Sequence, residues 1–313
     1  MSPFFSIVIC TRNPRGDSFA RVLEAVRDQS PAAPRWELVI VDSNSSPPLK
    51  ARSLPVPKET RFVRVEEPGI FRARMAGVFA ARGEWIVFVD DDNVLDRDYL
   101  ERAAAVIDRL PDIGLFCGRI SGEFECPPPE WLKPLYRHLA IIDFADDSWA
   151  REWDPSRVPC WTAGMVIRRD LADRHFRAYS SDPFWLSVET RTEDVHLVMC
   201  AVKAGHLAGL FTTLHLRHLI PPDRMTEAYL QKISCETAYN MTRIRCSESG
   251  ITIRDFLRPL KNAAFALRFG VGPRCRIALA AAWADFRAVI DASRVPSRGG
   301  TAINTACNSR TSC

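Results

Sequence analysis

The chain has no run of about twenty uncharged residues, the length a helix needs to cross a bilayer, and no CxxC pair among its ten cysteines. The first absence excludes a transmembrane helix. The second excludes the usual paired-thiol zinc and redox patterns and any visible disulfide framework. The cysteines therefore read as reduced, mostly packed thiols, several within apolar runs (Cys10, Cys117, Cys200), which favours the cytoplasm. No basic leader precedes the apolar N-terminal run, which is broken at once by Thr11-Arg12-Asn13; a strand is expected there, not a signal peptide. Glycine is sparse, 15 in 313 residues, and the segment after the first strand, CTRNPRGDS, holds one. That is too few for a Gly-rich triphosphate loop and weighs against a sugar nucleotidyltransferase. No internal repeat is visible.

What remains has the composition of a globular protein, 47% hydrophobic and 26% charged, long enough to bury a large core. Its net charge of +4 is unevenly spread. From Arg243 to Arg310 there are twelve Arg or Lys against four acids, a net of +8, and the first 242 residues carry −4. A basic tail suggests a polyanionic partner, such as an anionic membrane face; no nucleic-acid partner is expected.

Apolar runs and helical periods alternate. Strands are expected at Phe4–Cys10, Glu37–Val41, Thr60–Val65, Trp85–Val89, Ile113–Ile120, Trp161–Ile167 and Leu207–Arg217. Helices are expected after Asp17-Ser18 and at Ile70–Ala81, Arg97–Leu110, Glu193–Lys203 and Asp223–Arg245. Residues 121–160 read as an ordered loop region. Alternation of this kind argues for an α/β fold with a mainly parallel central sheet flanked by helices. Residues 1–242 form that domain, 243–293 a basic amphipathic helical extension, and 294–313 a disordered tail.

In such a sheet ligands gather beyond the carboxyl ends of the strands. Three polar clusters fall there: Thr11-Arg12-Asn13, Asp42-Ser43-Asn44 and Asp90-Asp91-Asp92. The last follows a wholly apolar strand, where three ionised carboxylates repel one another unless solvated or neutralised. Mg²⁺ or Mn²⁺ is the natural partner, since hard cations take carboxylate oxygens together with substrate phosphates. The ordinary alternative is a solvated turn. Asp42 could accept the imide N–H of uracil or thymine, or simply close an Asx-turn in DSNSS. Arg72 and Arg74 open a helix near the same rim, and guanidinium forks suit phosphate. Glu193-Asp194 opens another helix, either as ordinary dipole complements or as a general base. His218, just past a strand, is a candidate third metal ligand.

Taken in order, SIVICTRN, ELVIVDSNSS, PGIFRAR, WIVFVDDD, TAGMVIRRD and TEDVHL resemble a family 2 glycosyltransferase of GT-A fold, over roughly residues 4–220. The resemblance implies that Thr11 and Asp42 contact the nucleoside, with Arg12 on the same rim and Arg74 near the base or diphosphate. Asp90 would approach ribose and diphosphate and share the cation, Asp92 would be its principal ligand, and Asp91 would lie nearby. Trp161, Ala163 and Gly164 would border sugar and acceptor beside Glu193, and Asp194 would be the base of an inverting transfer from a UDP- or dTDP-sugar to a saccharide or lipid-linked acceptor. Cell-surface polysaccharide or glycolipid synthesis would be its setting, in the cytoplasm or peripherally at the inner membrane face. The second strand ends Asp-Ser-Asn where Asp-Asp-Gly is commoner, and the QxxRW motif of processive synthases is missing, so a single addition is expected. The alternative to an enzyme is a carbohydrate- or nucleotide-binding protein on the same fold without turnover.

Overall fold

The computed structural model describes residues 4–50, 54–57, 59–152, 161–187 and 192–293. The expected tail, 294–313, and the end of the proline- and tryptophan-rich loop, 153–160, lie outside the described residues. Two compact units emerge, the first comprising residues 1–123, 140–189 and 193–219, the second 124–139, 190–192 and 220–313. The second unit thus takes in an earlier segment, 124–139, beside the residues from Ile220 on.

The first unit is built on a nine-stranded sheet. In chain order its elements are β1 (Phe5–Thr11), α1 (Gly16–Arg27), β2 (Trp36–Ser43), β3 (Arg61–Val65), α2 (Ile70–Ala80), β4 (Trp85–Asp90), β5 (Asn93–Leu95), α3 (Tyr99–Arg109), β6 (Ile113–Phe124), β7 (Ser148–Ala150), β8 (Val166–Arg168), α4 (Arg169–Tyr179), α5 (Pro183–Ser187), α6 (Glu193–Lys203) and β9 (Leu207–Ile220). The strand order is β3-β2-β1-β4-β8-β6-β9-β5, with β7 on β9. β3, β2, β1 and β4 run parallel. They are followed by antiparallel pairs, β4 with β8, β6 with β8, and β5 and β7 with β9, so the sheet is mixed.

Every residue of β1 is buried, as a strand covered on both faces requires. α1 covers one face through Phe19, Val22, Leu23 and Val26, at helical spacing. α2 lies very close to the sheet. A Cβ on Gly77 would stand 2.4 Å from Val8 Cγ1 and 3.2 Å from Val41 Cγ2. The same buried face carries Phe71, Arg74 and Val78, so the helix that needs glycine to approach β1 also presses a guanidinium against the strand ends.

α4 was not expected. Its apolar stripe of Leu171, Ala172, Phe176 and Tyr179 includes a buried His175, which breaks the hydrophobic signal in sequence. The expected strand from Trp161 shrinks to Val166–Arg168 because Gly164, at φ +73°, turns the chain. Residues 121–150 hold more regular structure than a loop, with β6 running on to Phe124, a 3-10 helix at Glu130–Leu139 and β7.

The second unit packs α7 (Glu227–Ser249), α8 (Ile253–Ala266) and α9 (Pro273–Ser293). Thr226 caps α7 by accepting from Tyr229 N–H at 3.2 Å, and Thr252 with Asp255 forms a capping box at α8. Between α7 and α9, Thr242 donates to the buried Asp285. The break between α8 and α9 falls at Gly270, φ +73°. No helix among the described residues is long and apolar enough to cross a membrane.

Candidate active site

Parallel register is what assembles the rim. Thr11 stands opposite Asp42, Cys10 opposite Asp90, and Asp42 opposite Arg64. Four neighbouring strands thus end level, and their polar termini share one edge of the sheet.

At the acidic end, Thr11 Oγ1 donates to Asp91 Oδ2, tying the first strand to the triplet. Asp92 is buried. Its Oδ1 accepts from Asn93 Nδ2 at 3.0 Å, and its Oδ2 lies 3.5 Å from His218 Nε2. That neighbour comes from far along the chain through the pairing of β5 with β9, which sets Asn93 opposite His218. Leu219 N–H donates to the Asp92 carbonyl at 2.9 Å, locking the register. Three carboxylates with an imidazole beside the most buried one form an oxygen-rich donor set that fits a hard divalent cation.

Arg74 is the counter-charge. Almost wholly buried, it reaches Asp90 Oδ1 at 3.4 Å and Glu193 Oε2 at 3.5 Å. Burial works against its charge, but Glu193 and Asp90 outweigh that and keep the guanidinium protonated. Both contacts are long for hydrogen bonds, so the fork is shared loosely and keeps donors in hand.

Glu193 and Asp194 occupy the first turn of α6, where the helix dipole favours anions. Glu193 is completely buried and its Oε1 has no hydrogen-bond partner. Burial pushes its carboxyl up to about 8, against the pull of Arg74 and with a further push from Asp194. Burial likewise raises Asp194 to about 7, although Val195 N–H donates to its Oδ1 at 2.8 Å and Arg74 lies near. Two carboxyls held near neutrality beside a buried arginine belong to chemistry more often than to scaffolding. The ordinary dipole role of acids in a first turn does not account for that burial.

Ala163 and Gly164 border β4. Gly164 N–H donates to the Phe88 carbonyl at 2.9 Å, and Tyr99 Oη donates to the Gly164 carbonyl. A side chain at Gly164 would collide with Tyr99 and Leu216. Ala163 is buried and Trp161 half-buried, its carbonyl 3.4 Å from Cys117 Sγ. Arg12 is exposed at the rim. Arg72 pairs outward with the exposed Glu67 at 2.8 Å, a solvated arginine.

Asp42 is engaged on both oxygens. Oδ1 accepts from Ser45 N–H at 2.8 Å, and Oδ2 from Leu49 N–H at 3.1 Å and from Arg64 Nη1 at 2.7 Å. Burial works to raise its carboxyl, but these bonds and the Ser45 hydroxyl outweigh it and hold it below the ordinary range. The Asx-turn is thus present, and a base imide would have to share a lone pair or displace a donor. Sequence reasoning missed Arg64, which also donates to Asn44 Oδ1 at 2.8 Å. It missed Asn13 as well, at φ +52°, whose N–H donates to Ser45 Oγ at 2.9 Å and whose side chain accepts from Ser46 N–H. An Asn after a strand is the available signal for such a left-handed turn.

Comparison with known proteins agrees with this geometry. The family model for glycosyl transferase family 2 matches residues 6–176, more than half of the chain, and the chain belongs to that family. Its mixed α/β sheet, parallel at the site and flanked by helices, is the family's GT-A fold. An N-acetylglucosaminyltransferase of Azorhizobium caulinodans is 22% identical over 71% of this chain and 56% of its own length. Uncharacterized protein y4gI of Sinorhizobium fredii is 29% identical over 46% of this chain and 18% of its own, and polypeptide N-acetylgalactosaminyltransferase 11 of Xenopus tropicalis is 30% identical over 35% and 19%. The match thus spans less than a fifth of the length of those two relatives. Among solved structures, S. aureus TarS 1–349 aligns with a TM-score of 0.48 at 15% identity, over 93% of this chain and 91% of that one.

Above about pH 8, where Glu193 is ionised, replacing Arg74 with Ala strands a fully buried carboxylate, and its loss is expected to cost about 3–5 kcal/mol there. Adding Glu193→Gln, which needs no counter-charge, should recover a large part in urea unfolding. A single variant as stable as the parent, or a double variant no better than the single, would contradict this role for Arg74.

Proposed function

We propose that this chain is an inverting glycosyltransferase that moves one sugar from a nucleoside-diphosphate donor to an acceptor hydroxyl. The observation that carries the reading is the meeting of two kinds of carboxylate on one arginine. Strand-end acids lie on one side of Arg74 and the near-neutral Glu193-Asp194 pair on the other.

In the reaction the acceptor oxygen attacks the anomeric carbon as the bond to the diphosphate breaks, the leaving oxygen keeping the electron pair. Asp194 takes the acceptor's proton; a base is most effective with a pKa near the working pH. Glu193, completely buried beside it, shares Arg74 with Asp90. Arg74 turns its loosely shared donors toward the departing diphosphate, where charge develops. Thr11, Arg12, Asp42 and the loop that Asp42 organises form the nucleoside side, while Trp161, Ala163 and Gly164 line the sugar and acceptor side. Asp92, Asp90 and His218 would hold Mg²⁺ or Mn²⁺, with Asp91 steadied by Thr11; the ion supplies Lewis-acid stabilisation of the diphosphate. UDP- and dTDP-sugars are the donor class, and the names of two relatives make UDP-N-acetylhexosamines the first to test.

A lipid-linked acceptor agrees with the second unit. Around α8 and its following turn Ile253, Leu257, Leu260, Leu267 and Val271 are exposed, Val271 by 92%. They are interleaved with Arg254, Arg258, Lys261, Arg268 and Arg274. Apolar side chains among cations suit the interface of an anionic bilayer, and we propose peripheral attachment there.

Asp194→Asn should lower kcat by about 10²–10⁴ while leaving nucleotide affinity, read by calorimetry with Mn²⁺, nearly unchanged. Turnover above about a tenth of the parental rate would move the base elsewhere, Glu193 first. Parental protein that binds donor but transfers to no acceptor of a saccharide or lipid-linked panel would favour the binding-protein alternative.

Asp92→Ala should abolish the Mn²⁺-dependent part of nucleotide binding with the fold intact, since the residue sits at a sheet edge. Unchanged calorimetry with Mn²⁺ would remove Asp92 from the cation site.

In vesicle flotation the full chain should rise with anionic but not neutral liposomes, and Leu257→Glu with Leu260→Glu should abolish it. Equal behaviour on both lipids, or no effect of the substitutions, would refute attachment through α8.

A further inference from the structure

Behind the helix that carries Glu193 and Asp194 lies a second cluster that the reaction does not use. His196 and Cys200, four residues apart on α6, face His175 of α4. The Nδ1 atoms of the two histidines are 3.2 Å apart, and Cys200 Sγ lies 3.7 Å from His196 Nδ1 and 3.8 Å from His175 Nδ1. Both histidines are 2% exposed and Cys200 8%. Zn–N distances of about 2.0–2.1 Å and a Zn–S distance of about 2.3 Å in a tetrahedron require N···N near 3.3 Å and N···S near 3.6 Å. The three atoms sit at that spacing on one triangular face.

We infer that His175, His196 and Cys200 form a binding site for a thiophilic transition ion, Zn²⁺ foremost, that fixes α6 against α4. A His₂Cys set suits zinc and not the hard cation of the acidic rim. The surroundings are dry and aromatic. Phe71, Phe176, Tyr179 and Trp185 all have ring centroids within 6.0 Å of His175. Such a shell excludes competing water, and burial keeps His175 neutral, the form that ligates. A hydrogen bond between two neutral imidazoles is the plain alternative. In it the Cys200 thiol, at hydrogen-bond distance from both Nδ1 atoms, completes the network.

The position suggests the consequence. His196 lies less than one turn beyond Asp194 on α6, and Phe71, which stacks on Trp185 at 5.7 Å, lies one turn before Arg74 on α2. An ion here would hold in place the helix start that bears the two carboxyls. Its residues would be positioning residues, not catalytic ones.

The test uses the reduced, metal-free full chain and Co²⁺ as a spectroscopic stand-in for zinc. One equivalent should produce a thiolate-to-cobalt charge-transfer band that Zn²⁺ displaces. Cys200→Ser should abolish the band with unchanged circular dichroism, His175→Gln should weaken binding at least tenfold, and Asp92→Ala should leave the band intact. Zn²⁺ should also raise the melting temperature of the parent and of Asp92→Ala but not of Cys200→Ser. No band in the parental protein, or a band that survives Cys200→Ser, would overturn the proposal. A band lost with Asp92→Ala would assign the ion to the acidic rim and overturn it too.

Discussion

One buried guanidinium conditions the rest of the site. Six carboxylate oxygens at a strand end and four at a helix start could not share a poorly solvated edge without a cation among them. Arg74 is that cation, within 3.5 Å of each group. Its place depends on Gly77, since only a residue without Cβ lets α2 approach Val8 and Val41 so closely. A side chain missing from one position of the helix thus sets the electrostatics at another, one turn away. The loose contacts matter as much as the burial. An arginine bound tightly to two carboxylates would be spent, whereas one held at the margin of hydrogen bonding can exchange them for phosphate oxygens.

Local surroundings also separate otherwise similar acids. Asp42 has donors on both oxygens and stays ionised, a residue that shapes a loop. Asp194 accepts a backbone N–H at one oxygen and Glu193 has only a loose contact with Arg74, and burial lifts both toward neutrality. Environment, not residue type, keeps one carboxyl ionised and lifts another toward neutrality.

Much of this was legible in sequence. Apolar runs such as SIVIC, ELVIV and WIVFV, each ending in polar residues, define parallel strands and therefore a common rim. The DDD triplet follows from that inference, while Arg74 and Glu193-Asp194, at helix starts, took their site roles from the family resemblance. What was hidden depends on long-range pairing. Arg64 reaches Asp42 from a neighbouring strand that carries no motif, and the pairing that brings the expected His218 to Asp92 runs through a three-residue strand too short to recognise. The antiparallel pairs of the sheet were obscured by strands of three residues, β5, β7 and β8. α4 was hidden by the histidine within its apolar stripe, the same His175 that meets His196 and Cys200.

The central claim is that the level ends of four parallel strands, with Asp92 and His218, form a cation-dependent diphosphate site opposite Asp194. Anomalous scattering from crystals grown with Mn²⁺ and UDP tests it directly. The account predicts one manganese peak at coordination distance, about 2.0–2.6 Å, from an Asp92 oxygen, with the diphosphate between it and Arg74. A nucleotide bound away from these strand ends, or a manganese peak that touches none of Asp90, Asp92 and His218, would contradict it.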